Sequence, residues 1–548
     1  MIVVISNGLS EEVANEVFGN RWQRRCASFA TRMRRIDEHA EILVINRGAN
    51  ISYASCALPY YIGDVVQNRA AIIERTPEVL KEKNNIDVRV NQTAVGVQPT
   101  EQTVIIMDQA TGQEYPEQYD KLILATGASP TLPQIAGLKK ASNVFKLREV
   151  EEADQIKAYI TSHDVKTVTL IGAGIASLEI TENLYLQGIT VNIVEKLDHV
   201  GYPYDEEITK LLLEELERNG THVYLNHVVQ EVINNGHTIV TNQGKELTQD
   251  MIIVAAGVTP NTDFLKESGL TINERGFIPV DQHLATNIPD IYAIGDIVET
   301  KSYITGLPQN SVLSGPANRQ GHLLADIFAG QPYQYDGIVG TSVGKIFDQT
   351  VSFVGYTETM LQEVGIKNYK TIFITPFDYA NFYPGATRVN LKLIFDADTG
   401  KILGGQAYGE KGIDKRMGEL STAIYGHLTV YDLPALELPY SPPYSTTRDP
   451  LNTAGYVAIN QLKSTVATVK IAEIPEEAAF FLDVREAGKA PSGSIKPTLN
   501  IPLSELRDRI TEIPTDKPIY LTFRPGLVNY TAARILTGNQ IEAKIIME

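Results

Sequence analysis

One stretch limits what this chain can fold into more than any other. Val168-Thr-Leu-Ile171 is an apolar, strand-like run that breaks at Gly172-Ala-Gly174 and reopens as a helical segment through Ser177 to about Leu186. A second strand-like run, Val191-Asn-Ile-Val194, then ends in Glu195, 23 residues after Gly172. Strand, Gly-x-Gly turn, helix, strand and acid in this order predict a parallel βαβ unit with a dinucleotide at the helix N-terminus. Gly172 permits the tight turn, and Gly174 lets the backbone N–H groups approach a pyrophosphate. Ser177 stands where a third glycine usually allows close helix–strand packing, and it is small enough to serve. Glu195 is placed to accept from a ribose 2′-OH, which favours NADH and leaves NADPH as the alternative.

A second unit of this kind is expected at the start of the chain. Met1–Ser6 reads as a strand, Ala27–Ile36 as a helix and Ile42–Ile45 as the next strand, which predicts an opening βαβ unit. Its Gly-rich turn is absent, and the polar, basic stretch Asn20-Arg-Trp-Gln-Arg-Arg-Cys26 precedes the helix instead. Asn46 occupies the place of the acid and can still bond a ribose; Arg47 beside it is a further cofactor-binding candidate. Lys121–Leu124 leads into Ala125-Thr126-Gly127, and Met251–Val254 leads into a similar turn at Gly257. Asp290-Ile-Tyr-Ala-Ile-Gly295-Asp296 is a strand ending in an acid that can accept from a cofactor hydroxyl. Gly315–Gly321, with Ala317, opens a helix whose N-terminus can face the same cofactor.

Cys56 is one of two cysteines in 548 residues, in Ser52-Tyr-Ala-Ser-Cys56-Ala-Leu-Pro-Tyr-Tyr-Ile-Gly63. A lone cysteine after a strand serves either as a small buried hydrophobe or as a redox thiol. The nucleotide units around it supply what a redox thiol needs. Two cysteines cannot build a disulfide framework or a cysteine zinc site, so a reducing cytoplasm and no metal are expected. A net charge of −18 argues against nucleic acid or an anionic membrane as partner. No apolar run is long enough to span a bilayer.

Beyond about Gly337 the strands lengthen, at Lys370–Ile374, Val389–Phe395 and Ile402–Tyr408, with a helix over Arg416–Leu428. This predicts an α+β domain. Two aromatic, Pro-rich stretches, Asn381-Phe-Tyr383-Pro-Gly385 and Pro439-Tyr440-Ser-Pro-Pro-Tyr444-Ser445, stand out, although such tyrosines often serve packing. Leu462–Lys470 reads as a linker to a small α/β module.

The expected architecture is therefore α/β, with two Rossmann-like dinucleotide-binding domains, an α+β domain and a C-terminal α/β module. The boundaries fall at 1–145, 146–262, 263–336, 337–460 and 465–548. Taken together, Ser52-x-x-x-Cys56 with its Leu-Pro-Tyr-Tyr-Ile-Gly, Ala125-Thr-Gly127, the Gly172–Glu195 unit, Ile294-Gly-Asp296, Gly315–Gly321 and Tyr440-Ser-Pro-Pro-Tyr444 resemble the flavoprotein disulfide reductases. More narrowly, the chain is similar to coenzyme A-disulfide reductases and NADH-dependent persulfide reductases fused to a rhodanese domain. The resemblance implies FAD in the first and third segments, NADH in the second, a dimerisation domain at 337–460 and a rhodanese-like domain at 465–548. It implies that Cys56 forms a mixed disulfide with coenzyme A, and that Tyr383, Tyr440 and Tyr444 reach the active site of the partner in a homodimer. Phe382 sits in the same motif. An NADH oxidase-like flavoprotein and a flavin-free, sulfur-sensing scaffold are the competing readings.

The chain departs from this pattern in its tail. Phe523 stands where a rhodanese carries its sulfur-accepting cysteine, and Ser494 replaces the histidine of Gly-His-Ile. A phenyl ring cannot hold sulfane sulfur, so no sulfurtransferase activity is expected from 465–548. Ser55 also replaces the Asn common beside the cysteine. A reading-frame shift by one nucleotide over Asn20–Cys26 would permit Ile-Gly-Gly-Ser-Gly-Gly directly before Ala27. Re-sequencing of the gene tests this reading: a missing or added base upstream of codon 27 is expected, and a clean in-frame read overturns it.

Overall fold

A computed structural model describes residues 1–6, 26–463, 466–475, 479–486, 497–522 and 526–547. The expectations attached to residues 7–25, Ser494 and Phe523 lie outside the described residues. The chain divides into two compact units, Met1–Tyr202 with Thr209–Gly340, and Pro203–Ile208 with Thr341–Glu548.

The first unit holds two five-stranded sheets. One is formed by β1 (Ile2–Ser6), β2 (Glu41–Asn46), β3 (Asp87–Val90), β4 (Lys121–Leu124) and a strand contributed from far along the chain, Ile291–Ala293. Their order is Ile291–Ala293, β4, β1, β2, β3. The opening unit differs from the parallel βαβ expected of it. β1 runs antiparallel to both neighbours, pairing Ile2 with Ile45 and with Leu124. The remaining strands share one direction. Ile2 to Ile5 are buried, with Val3 and Ile5 packed on one face and Ile2 and Val4 on the other. A strand that is apolar on both faces fits a sheet centre in either direction, so its own residues do not choose the direction. The following helix, α1 (Cys26–Ile36), packs Phe29 edge-on against Phe328, with ring centroids 5.6 Å apart.

The other sheet contains β5 (Val144–Lys146), β6 (Thr167–Ile171), β7 (Thr190–Val194), β8 (His222–Tyr224) and β9 (Met251–Val254). It is parallel throughout, in the order β5-β9-β6-β7-β8. The connections reverse direction at β6, and a crevice opens at such a switch point beyond the carboxyl ends of the strands. The strand Ile291–Ala293, β10 in chain order, returns the chain to the first sheet.

The second unit contains an antiparallel sheet of β11 (Thr341–Ile346), β12 (Gln349–Gly355), β13 (Tyr369–Ile374), β14 (Asn390–Asp396) and β15 (Ile402–Gly409), in the order β11-β12-β15-β14-β13. The helix expected over Arg416–Leu428 lies three residues earlier, at Ile413–Tyr425. Gly412, at φ +66°, starts it, and Gly426 follows its last residue. The expected linker is also shorter. Leu462 closes the helix Pro450–Leu462, and Ala467–Lys470 is an edge strand paired parallel with Ala543–Met547. The last module is a five-stranded parallel sheet whose core includes Leu482, Ile519, Leu521 and Ala532.

The strap Pro203–Ile208 is held in this second unit by a buried charge. Lys392 on β14 is 2% exposed, and its Nζ lies 3.2 Å from Asp205, 2.7 Å from Glu207 and in contact with Glu358. Asp205 also accepts from the backbone N–H groups of Glu358 and Thr359, each at 3.1 Å. Burial opposes the ammonium charge, but the three carboxylates overcome it and hold the Lys392 pKa above its ordinary value. Lys392→Met leaves three carboxylates without their cation. It is expected to lower the unfolding free energy by about 3–5 kcal/mol, measured by urea denaturation at pH 7. A loss under about 1 kcal/mol, the scale of a surface ion pair, would show that the cluster carries no such role.

Candidate active site and dinucleotide sites

The carboxyl ends of β2 and β4 open into a cavity of about 540 Å³, within the range of small-molecule sites. Asn46, Arg47, Ala125, Thr126 and Gly127 all line it. The Asn46 amide donates to the carbonyls of Gly48 and Asn50, at 2.7 and 3.2 Å. Arg47 lies 3.2 Å from Glu149 across the same wall. Because β1 is reversed, Met1 rather than a turn after β1 borders the cavity, and its carbonyl accepts from Ala125 N at 3.2 Å.

Two strand-to-glycine turns are zipped together at the floor. Asn261 bonds both ways with Thr126, accepting at 2.7 Å through its carbonyl and donating at 3.0 Å from its side chain. Ala128–Pro130 pairs antiparallel with Val258–Pro260 just after Gly257. Gly295 donates to the buried Gln320 side chain at 2.7 Å, and Asp296, fully buried, meets Arg148 at 2.5 Å. Arg148 lines the cavity as well. Ala317 is buried in the first turns of the helix Ser314–Phe328.

Cys56 stands in a single 3₁₀ turn, Ser55–Ala57, that leads into the short helix Leu58–Ile62. The thiol is exposed, which excludes a packing role for it. Its Sγ lies 3.7 Å from the hydroxyl of Ser314. Ser55 and Ser314 both line the cavity, so the thiol sits at its rim.

At the second sheet, Gly172 has φ +104°, and a Cβ there would stand 2.6 Å from the Ala255 carbonyl. Gly174 caps the helix Ile175–Tyr185 and has open space where a Cβ would be. Ser177 is fully buried, as close helix packing demands. The Glu195 carboxylate accepts from Ala173 N at 2.7 Å and from Leu197 N at 2.9 Å. It therefore braces the Gly turn as well as ending the strand.

Five further residues emerge from the structure: Ser314, Arg148, Glu179, Glu182 and Tyr60. Ser314 and Arg148 have no sequence pattern pointing to this cavity. Glu179 and Glu182 lie three apart in the helix Ile175–Tyr185, and no motif in the sequence marks them. Burial, and then the Glu182 charge, push the Glu179 carboxyl up to about 7. Tyr60, four residues after Cys56, is pushed up to about 12 by burial, then by the charges of Glu179, Glu182 and Cys56. Its phenol stays protonated at neutral pH and keeps a hydrogen to donate. Tyr383, Tyr440 and Tyr444 lie in the second unit with exposed side chains.

Fold and site together define an oxidoreductase built on two dinucleotide sheets, with an exposed thiol at the rim of the first. A family model described as pyridine nucleotide-disulphide oxidoreductase matches residues 26–315, and that family's dimerisation domain matches 341–450. This chain belongs to the pyridine nucleotide-disulphide oxidoreductase family. It is 34% identical over 434 residues to a coenzyme A disulfide reductase of Staphylococcus aureus strain N315, covering 79% of this chain and 97% of that protein. It superposes on reduced Bacillus anthracis CoADR-RHD with TM-score 0.93 and 40% identity, over 96% of this chain and 97% of that one. An NAD-dependent persulfide reductase from A. fulgidus gives 0.88 and 32%, over 95% and 96%. A water-forming NADH oxidase from Lactobacillus brevis shares the fold, with TM-score 0.77 and 24% identity over 81% and 97%. The family match begins at Cys26, at the edge of the anomalous basic stretch.

The Glu179 shift has a measurable sign. From the ordinary carboxylate range up to about pH 7, the folded state keeps a proton that the unfolded chain has released, so stability falls as pH rises through this window. Glu179→Gln removes that slope. The variant is expected to gain on the parent by on the order of 2 kcal/mol between pH 5 and pH 8, measured by denaturant unfolding. An equal gap at both pH values would contradict the half-buried, protonated state.

Proposed function

We propose that this protein is an FAD-dependent NADH oxidoreductase that reduces coenzyme A disulfide, polysulfide or persulfide through Cys56. The observation that carries this reading is the exposed Cys56 thiol beside the Ser314 hydroxyl, at the rim of a cavity formed by dinucleotide-type strand ends. The acceptors present fit a flavin dinucleotide in part. Buried Asp296 suits a ribityl hydroxyl and the Asn46 carbonyl suits a ribose, with Arg47, Ala125–Gly127, Gly295 and Ala317 around them. When bound, the flavin supplies a two-electron relay between nicotinamide and disulfide.

The chain's own part is thiol–disulfide exchange. Cys56, as thiolate, attacks one substrate sulfur. A Cys56–sulfur bond forms, the substrate S–S bond breaks, and one coenzyme A thiolate leaves and takes a proton. Two electrons that began as the hydride of NADH then break the mixed disulfide, restoring the Cys56 thiolate and freeing the second coenzyme A. Coenzyme A serves as the second thiol, so one cysteine suffices. Gly172, Gly174 and Ser177 hold NADH against the second sheet. Glu195 disfavours a 2′-phosphate by charge, which makes NADPH the poorer donor. Gly257 closes the turn between the two sites.

The protein acts as a cytoplasmic homodimer in this reading. The dimerisation-domain match and the exposure of Tyr383, Tyr440 and Tyr444 support delivery of these phenols to the partner's Cys56. Residues 465–548 form a rhodanese-like module without sulfur transfer, because Phe523 stands at the acceptor position. One observation favours a second reading, a flavin-free scaffold: β1 runs antiparallel to both of its neighbours.

An absorption spectrum before and after anaerobic NADH separates the two. A flavin spectrum that bleaches is expected; a protein that stays colourless after FAD is added overturns the enzyme reading. Cys56→Ser should still bleach, and should lose coenzyme A-disulfide turnover by at least about a hundredfold. Turnover kept in this variant would move the chemistry away from the cysteine. Thiosulfate-to-cyanide sulfur transfer by Cys56→Ser protein is expected at background, and a rate above it would restore the tail as a catalyst.

A further inference from the structure

The two aromatic loops of the second unit lie outside its helices and long strands, yet they carry the phenols assigned above to the disulfide site. What joins their bases is a buried ion pair. Arg416, on the helix Ile413–Tyr425, is fully buried. Its Nη2 lies 3.0 Å and its Nε 3.3 Å from the two carboxylate oxygens of Asp449. The same Nη2 donates to the Asp378 carbonyl at 2.5 Å, and Nη1 donates to the Gly412 carbonyl at 3.0 Å.

Each end of this pair holds one loop. Asp378 begins the first loop and closes it with its own carboxylate, which accepts from Tyr379 N at 2.8 Å and from Thr387 N at 3.0 Å. Tyr383 N donates to the Ala380 carbonyl at 2.9 Å inside that loop. At the other end, Asp449 caps the helix Pro450–Leu462 and accepts the Ser445 hydroxyl at 2.6 Å. Ser445 closes the second loop, in which Tyr444 N donates to the Ser441 carbonyl at 2.9 Å. The loops are then stitched directly, Ala380 N to Ser445 O, at 3.0 Å. The side chains at their tips point to solvent, Tyr444 at 75% exposure and Tyr383 at 43%.

A buried ion pair is weak evidence for stability, because apolar residues of similar volume often serve as well. A two-pronged guanidinium–carboxylate contact instead fixes direction. Here the fixed directions belong to two loop bases, and the freedom removed is that of exposed aromatic tips. We propose that Arg416, acting through Asp449 and Ser445, is a positioning residue that sets Tyr383, Tyr440 and Tyr444 in one register for the disulfide substrate at the partner's cysteine. This rests on the reading that those tyrosines act at Cys56.

The test uses the full-length, FAD-loaded protein and coenzyme A disulfide. Ser445→Ala removes one hydroxyl from the network and is the milder variant; Arg416→Lys keeps the charge and loses the fork. Both are expected to lower kcat/KM for coenzyme A disulfide, Ser445→Ala by about tenfold and Arg416→Lys by more. The rate at which NADH bleaches the flavin should stay at the parental value in both. Amide hydrogen exchange should rise in 379–385 and 441–446, a readout that loss of a distant fold element would not confine to these loops. Combining Ser445→Ala with Tyr444→Phe should cost less than the product of the two single effects. Parental kcat/KM in a folded Ser445→Ala protein overturns the proposal, as does a loss with strictly multiplicative combination and unchanged exchange. If Arg416→Lys fails to fold, Ser445→Ala decides alone. The parent reading is tested apart: Tyr383→Phe, Tyr440→Phe and Tyr444→Phe proteins that all turn over normally would overturn it, and this proposal with it. Impaired tyrosine variants beside a normal Ser445→Ala overturn the positioning role only.

Discussion

Shared strand direction is the constraint on which both nucleotide sites depend. Backbone N–H groups and carboxylates can converge on a dinucleotide only where several strands end at the same edge. The second sheet meets this condition fully, since all its strands are parallel and β6 marks the switch point. There the Glu195 carboxylate spans Ala173 N and Leu197 N, so the acid that ends β7 also holds the turn that ends β6. The first sheet meets it with four strands and breaks it with β1. Its cavity is consequently built from the ends of β2 and β4 and from the zipped turns at Thr126 and Asn261.

The thiol takes its place from that edge. Cys56 needs access to both the cavity and solvent, and it is exposed in the turn Ser55–Ala57. Around it the charged groups are unevenly solvated. Glu179 is costly to ionise where it lies, and Tyr60 is held above its ordinary range by burial and then by the acids near it. Both effects follow from burial first and from neighbouring charge second.

The second unit relies on two buried cations used in different ways. Lys392 gathers three carboxylates onto one point charge and anchors the strap Pro203–Ile208. Arg416 uses the planar geometry of its guanidinium to reach two loops at once. A point charge tolerates several partner directions, whereas a fork selects them. The ammonium therefore suits an anchor and the guanidinium suits a register.

Local order was legible in the chain and long-range direction was not. The run from Val168 to Glu195 announced its strand, turn, helix and acid, because each signal is set by neighbours within a few residues: apolar periodicity, a glycine where the backbone turns tightly, an acid at a strand end. The cysteine stretch and the two aromatic loops were legible for the same reason. The direction of β1 was not, since Ile2–Ile5 fit a sheet centre either way up. Whether Cys56 was core or surface, and where Glu179 and Glu182 would fall, depended on helix packing that composition does not encode. Arg416 and Asp449, 33 residues apart, carry no pattern linking them. Sequence by itself determined the kinds of element and the residue types at the turns, because those are matters of local sterics and solvation. Tertiary structure alone decided strand direction, exposure of the thiol and the partner of each buried charge, because these are settled by which distant surfaces exclude water together.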